Sequence, residues 1–262
     1  MRKNILFLTL LVAAFFMACE SDDLNNVSPS AETGVGGSYA RFVILGDFMY
    51  VVDEQYLITF SIAEAAHPKE VARQLLGDRI ETIFNFKNRL FIGSGEGLFI
   101  YEIQDSGIPK QLSATTYFEF EIFPCDPVVA NDSFAYVTLN AKRRIGNACG
   151  GSFEVNVNVL KIFDIRNVSQ PLLLSEYDMF APKGVGLDGT TLFICDDEQG
   201  LKIFDVSDPY NLVTIDHIDN FTAFDVIPLD GLLLVVGPKN VYEFDYTDLN
   251  NIQLISSFQH DN

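Results

Sequence analysis

The 262-residue chain has no tryptophan, only three histidines and four cysteines, and 17 basic residues against 36 acidic ones. Each shortage excludes something. His67, His217 and His260 are scattered, with His67 directly before Pro68 and His260 near the terminus, so neither a histidine-based triad nor a histidine metal cluster is expected. No two of Cys19, Cys125, Cys149 and Cys195 stand at the close spacing of a zinc or redox motif. The deficit of cations argues against nucleic acid as a partner, because an acidic surface repels phosphate. From Tyr39 onward no apolar run is long enough to span a bilayer. No catalytic residues, metal or cofactor are therefore expected. Asp196-Asp197-Glu198 could touch a calcium ion, but no calcium-loop spacing accompanies them.

The first forty residues carry an address. Met1-Arg2-Lys3-Asn4 is a basic start, Ile5 to Phe16 is a run apolar but for Thr9, and Met17-Ala18-Cys19 follows. That run is too short for an anchor helix and reads as a cleaved signal. The small Ala18 before Cys19 resembles a bacterial lipobox, although Phe16 stands where Leu is usual. The resemblance implies cleavage before Cys19 and lipidation of that cysteine. Residues 1–18 are then a lipoprotein signal peptide, residues 19–38 a disordered tether that opens with Glu20-Ser21-Asp22-Asp23, and residues 39–262 the folded domain. Losing Arg2 and Lys3 leaves 15 basic against 36 acidic residues, a charge of about −21.

What the sequence has in abundance is repetition. Leu201-Lys202-Ile203-Phe204-Asp205-Val206 has imperfect copies beginning at Leu57, Leu98, Leu160 and Val241, at steps of about forty residues with one longer step before Leu160. Around each copy lie three further short strands and a tight turn, at residues 46, 87, 132, 188 and 230. Leu201 and Ile203 point to one side of the signature strand, Phe204 and Val206 to the other. A strand apolar on both sides needs a sheet packed on each, which a ring of sheets supplies. An all-β fold is predicted, a five-bladed β-propeller with four antiparallel strands per blade.

Gly200 to Pro209, Leu160 to Ile165 and Tyr50-Val51-Val52-Asp53 resemble the LVIVD repeat family of secreted β-propellers, and the likeness runs from Tyr39 to Phe258. Together with the lipobox it resembles uncharacterised lipoproteins of the Bacteroidetes type. The resemblance implies a propeller outside the cytoplasm, lipid-anchored in the outer membrane on the periplasmic or cell-surface side. It implies no catalytic residues.

Strand order places the connections from second to third strand, and those between blades, on one face. The extra residues of the long step, about Asn140 to Asn158, fall in such a connection and are expected to form a long loop carrying Lys142, Arg143 and Arg144 as a candidate binding loop. Counting back from the tight turns aligns Arg41, Thr82, Asp126, Lys183 and Asp225 as an axial polar ring, which reads as an ion-paired plug. Cys125 and Cys149 belong to that same face, so a disulfide between them is predicted, with Cys195 a buried thiol. The function expected is a non-enzymatic binding module for a protein or glycan. The alternative is a glycan-active enzyme using Asp126 and Asp225 as paired carboxylates, an analogy from fold alone.

Overall fold

The computed structural model describes residues 37–117, 127–146 and 152–259. Over these the chain forms five antiparallel sheets of four strands, each sheet in chain order. Blade one holds Phe42–Leu45 (β1), Phe48–Val52 (β2), Tyr56–Ser61 (β3) and Lys69–Leu75 (β4). Blade two holds Ile80–Phe86 (β5), Arg89–Ser94 (β6), Gly97–Ile103 (β7) and Pro109–Thr116 (β8). Blade three holds Val128–Ala130 (β9), Phe134–Gly146 (β10), Ser152–Asp164 (β11) and Leu172–Asp178 (β12). Blade four holds Val185–Asp188 (β13), Thr191–Cys195 (β14), Leu201–Asp205 (β15) and Val213–Ile218 (β16). Blade five holds Asp225–Leu229 (β17), Leu232–Val236 (β18), Asn240–Asp245 (β19) and Gln253–Gln259 (β20). The first strands of all five blades surround a central cavity of about 240 Å³. The fold is the expected five-bladed propeller.

The signature strand explains the ring. Its first and third residues pack toward the next blade and its fourth toward the preceding one. Leu201 and Ile203 join Val226, Leu233 and Phe244 of blade five, whereas Phe204 and Val206 join the cluster shared with blade three. The acid that closes the motif has a local task. The carboxylates of Asp164, Asp205 and Asp245 each accept the backbone N–H two residues on, which turns the chain toward the fourth strand. The fourth strands lie mostly exposed at the rim. In every blade the pairing of third and fourth strands slips by one residue after the motif's third position, a bulge that twists the outer edge away from flat pairing.

Four of the five interfaces between blades are sealed by buried apolar clusters: blades one and two, two and three, three and four, four and five. The fifth is built differently. Leu234 and Val236 of blade five are half-buried, although their counterparts in blade four, Phe193 and Cys195, are fully buried. On the facing side of blade one, Phe42 and Ile44 are 54% and 40% exposed. Glu243 stands where Ile100, Ile162 and Ile203 stand in other signature strands, and its carboxylate accepts a bond from Ser256 Oγ.

A polar latch bridges this seam. Ser38, expected to end the tether, is instead buried: its hydroxyl donates to Asp225 Oδ1 at 3.1 Å and accepts the Val185 N–H at 2.8 Å. The folded domain thus reaches at least two residues ahead of Tyr39. Side chains at Gly37 and Gly184 are excluded by the same carboxylate, since a Cβ there would stand 2.0 Å and 2.4 Å from its oxygens. Burial pushes the Asp225 carboxyl up to about 6, against bonds from Val226, Ser38 and Tyr39 that favour its charged form. The expected lipoprotein signal peptide, Cys19 and the tether as far as residue 36 lie outside the described residues.

Two outcomes are expected from urea unfolding. Ile203→Ala, which empties a fully buried site, should lower stability by about 2–5 kcal/mol, whereas Asp205→Ala, which loses one turn bond, should lower it by about 1 kcal/mol. Because the Asp225 carboxyl titrates at about 6 in the folded chain against an ordinary 3.8, its contribution to stability is full below about pH 4 and lost as pH rises through 6. Stability of the wild type relative to Asp225→Asn should therefore fall from pH 4 to pH 7, and a difference flat over that window contradicts the buried latch.

Candidate functional site

Among the described residues the connections from second to third strand, and those between blades, emerge on one face, as the strand order requires. On it the long step of blade three is not a loop. Residues 140–146 and 152–158 continue the pairing of β10 with β11, from Asn140 opposite Asn158 to Gly146 opposite Ser152, so the insertion is a two-stranded arm. Lys142, Arg143 and Arg144 belong to that ribbon, opposite Asn156, Val155 and Glu154. Ladder bonds continue from the sheet into the arm, which is why a stretch with loop-like composition stays extended. Cys125 and Cys149, and with them the predicted disulfide, lie outside the described residues. Cys195 is a free, fully buried thiol whose pKa burial raises well above the ordinary value, the Asp225 and Asp196 charges adding to the effect.

The axial ring is corrected by register. Arg41 pairs with Val52, Thr82 with Gly93 and Asp225 with Val236, the residues that in turn face the first position of each signature strand. The equivalents in blades three and four are Pro127, paired with Thr138, and Gly184, paired with Cys195. Lys183 is one residue out of step because the turn of blade four is Gly189-Thr190 and not Asp188-Gly189; Asp126 is out of step because it stands six residues before Asp132, where Arg41, Thr82 and Asp225 stand five before their turns. A slip of one residue sends a side chain to the opposite face of a strand.

Among the described residues the charged members do not join one another in an ion-paired plug. Arg41 Nη2 donates to the Ile80 carbonyl at 3.1 Å. Lys183 meets Asp197 at 3.4 Å and lies 4.1 Å from the centre of the Phe224 ring. Thr82 is fully buried, and Asp225 is committed to the latch. Asp126 lies outside the described residues, so the proposed carboxylate pair has one described member. The channel wall is mainly apolar, with Val43, Ile83, Val129, Val185 and Val226.

Asp196 has structural work. Its carboxylate accepts the N–H groups of Phe180 and Ala181 at 3.1 and 2.7 Å and pairs with Lys202. It is fully buried and ties a connection between blades to the turn before Gly200. Three protein donors thus share its two oxygens.

A hollow on this face lies at the mouth between blades one and two. It measures about 700 Å³ and is lined by Tyr39, Arg41, Glu54, Gln55, Asp78, Arg79, Ile80 and Glu81. Its walls are set by backbone bonds: Leu76 N–H to Gln55 O at 2.9 Å, Ile80 N–H to Glu54 O at 3.1 Å and Gly95 N–H to Arg79 O at 3.0 Å. Gln55 Nε2 reaches Asp78 Oδ1 at 2.7 Å across it. Arg79 has the left-handed backbone, φ 57°. Glu81 is the additional residue of a bulge between Ile80 and Thr82, where the other four pairs of first and second strands run in unbroken register. Only Arg41 of this set is picked out by the sequence. The break at Gly77-Asp78-Arg79 is the one local signal of the rest.

Residues 36–74 and 183–219 match the family model described as LVIVD repeat, and these stretches are blades one and four. No curated protein sequence matches the chain. Among solved structures it is similar to a functionally unknown protein from Desulfotomaculum acetoxidans, at 12% identity and a TM-score of 0.51, over 82% of this chain and 80% of that one. A protein from Lactobacillus plantarum aligns at 14% identity and 0.58, over 80% and 67%. The apo AztD from Citrobacter koseri aligns at 13% identity and 0.50, over 80% and 58%. Identities this low carry the fold and nothing of the activity. Its five four-stranded blades make the chain a β-propeller, and two of those blades match the LVIVD repeat model.

Proposed function

We propose that this propeller is a non-enzymatic binding module, anchored to the outer membrane through a lipid on Cys19, and that it engages a glycan or protein ligand with the face that bears the blade-three arm. One observation carries this reading: the arm of β10 and β11 and the hollow between blades one and two both emerge on the face built from the connections between strands. A rigid ring with variable connections on one side is an arrangement that commonly presents binding groups. The charge of about −21 that remains after cleavage keeps such a module soluble and away from anionic headgroups, so the lipid alone holds it to the membrane. Of the two carboxylates considered for a glycan-cleaving enzyme, Asp225 spends its oxygens on Ser38, Tyr39 and Val226, which favours binding over cleavage.

Two measurements test this. Replacing residues 141–156 by a short turn should weaken binding to the ligand that the intact chain captures on a glycan array or in a pull-down by about tenfold or more, while the unfolding midpoint stays unchanged. Undiminished binding removes the arm from the site. Cys19→Ser should shift the chain from the detergent-extracted membrane fraction to the soluble one and abolish metabolic labelling by a fatty-acid analogue; a variant still labelled and still in the membrane contradicts the anchor.

A further inference from the structure

We propose that the hollow between blades one and two is a saccharide site, taking a neutral oligosaccharide through its hydroxyl groups; this rests on the binding-module reading above and names the site and ligand class within it. The first support is its departure from the repeat. Blades that otherwise share one backbone plan differ here, where a left-handed Arg79 and the bulged Glu81 follow each other within three residues. A non-glycine residue held in that backbone region, next to a bulge that breaks the ladder, has lower local stability than the regular strand start of the other blades. Such departures gather where a side chain is re-aimed for a ligand, and both residues line the hollow.

The chemistry of the lining selects the class. Two guanidiniums, from Arg41 and Arg79, stand with three carboxylates, from Glu54, Asp78 and Glu81, and with the amide of Gln55. An anion would meet the three carboxylates, and a cation the two guanidiniums. A sugar hydroxyl, by contrast, both donates and accepts, and adjacent hydroxyls can bridge a carboxylate and a guanidinium at once. Tyr39, 37% exposed at the rim, offers an aromatic face for the C–H side of a pyranose. A polypeptide fits less well. Protein interfaces place apolar, charge-depleted groups at their centre, whereas the one aliphatic residue here is the buried Ile80. The strands that border the hollow are already paired, so a peptide finds no open edge to extend. At about 700 Å³ the hollow lies within the 300–1,000 Å³ usual for sites that hold small organic ligands.

The walls are also held in place before a ligand arrives. Backbone bonds from Leu76 and Ile80 fix the turn at Glu54 and Gln55 against the connection from blade one to blade two, the Gly95 N–H holds Arg79 O, and the Arg41 guanidinium is set by Ile80 O. Preformed polar groups bind without the loss of side-chain freedom that a loose loop would incur.

The test applies fluorescently labelled full-length chain to an array of neutral, N-acetylated and acidic oligosaccharides, beside a set of immobilised peptides and proteins of the cell envelope. The wild type is compared with Glu54→Gln/Asp78→Asn and with Tyr39→Ala, and Lys87→Ala on the opposite, tight-turn face is the control. Unfolding midpoints establish that each variant is folded. Binding to neutral oligosaccharides, reduced about tenfold or more by the two hollow variants and unchanged by the control, is the expected result; each lost hydrogen bond accounts for a factor of that order. Neutral oligosaccharides bound equally well by the hollow variants would overturn the site while leaving a binding module. Binding confined to acidic glycans or to polypeptides would overturn the ligand class. Binding to nothing on either surface would overturn the module reading and the site with it.

Discussion

A hydroxyl on a carboxylate, Ser38 on Asp225, closes a ring whose other joints are closed by oil. Four interfaces between blades bury aliphatic and aromatic side chains completely, and each can be described as the first and third residues of one signature strand meeting the fourth residue of the next. At the seam between blades five and one the third position is Glu243, the facing residues Phe42 and Ile44 stay exposed, and apolar packing cannot supply the join. Ser38 supplies it by reaching both Asp225 of blade five and Val185 of blade four. Burying a carboxylate is unfavourable unless donors surround it, and here the donors come from the segment that must be held.

That latch also reaches the candidate site. Tyr39 follows Ser38 directly, and its backbone N–H donates to Asp225. Ala40 donates to Gly37 O and accepts from Ile83, which stitches the same segment to blade two. Arg41 then extends to the Ile80 carbonyl. One lip of the polar hollow is therefore positioned by the contact that closes the ring, and a change at Asp225 is coupled through three consecutive residues to the place where a ligand would sit. The remaining walls depend on backbone bonds within blades one and two and are independent of the seam.

Sequence reading reached the parts that repeat. The two-sided apolar character of Leu201-Lys202-Ile203-Phe204 dictates stacking between sheets, and Asp230-Gly231 dictates a tight turn, so blade number, strand order and the shared face of the connections were legible, as was the buried Cys195 thiol. What was not legible depends on register or on partners far along the chain. Counting back from turns misplaced Lys183 because Gly189 and Thr190, not Asp188, form the turn of blade four. In sequence the arm reads as a loop, since Lys142 to Gly146 lacks an apolar alternation; its extended form comes from pairing with residues 152–156. The bulge at Glu81, between Ile80 and Thr82, is announced by no local composition. Ser38 lies 187 residues from Asp225 in sequence and inside a polar stretch with the composition of a linker. Glu243 is the one acid at a position otherwise filled by isoleucine or threonine, and in the structure it lies at the seam.

Hydrogen–deuterium exchange of the purified chain reads the seam directly. If a polar latch closes the ring where apolar packing closes the other joints, the amides of β1 and β17 exchange well before those of β9 and β13, inner strands that are sealed on both sides. Equal protection of all four strands would mean that blades five and one are packed as tightly as the rest, and would contradict the account.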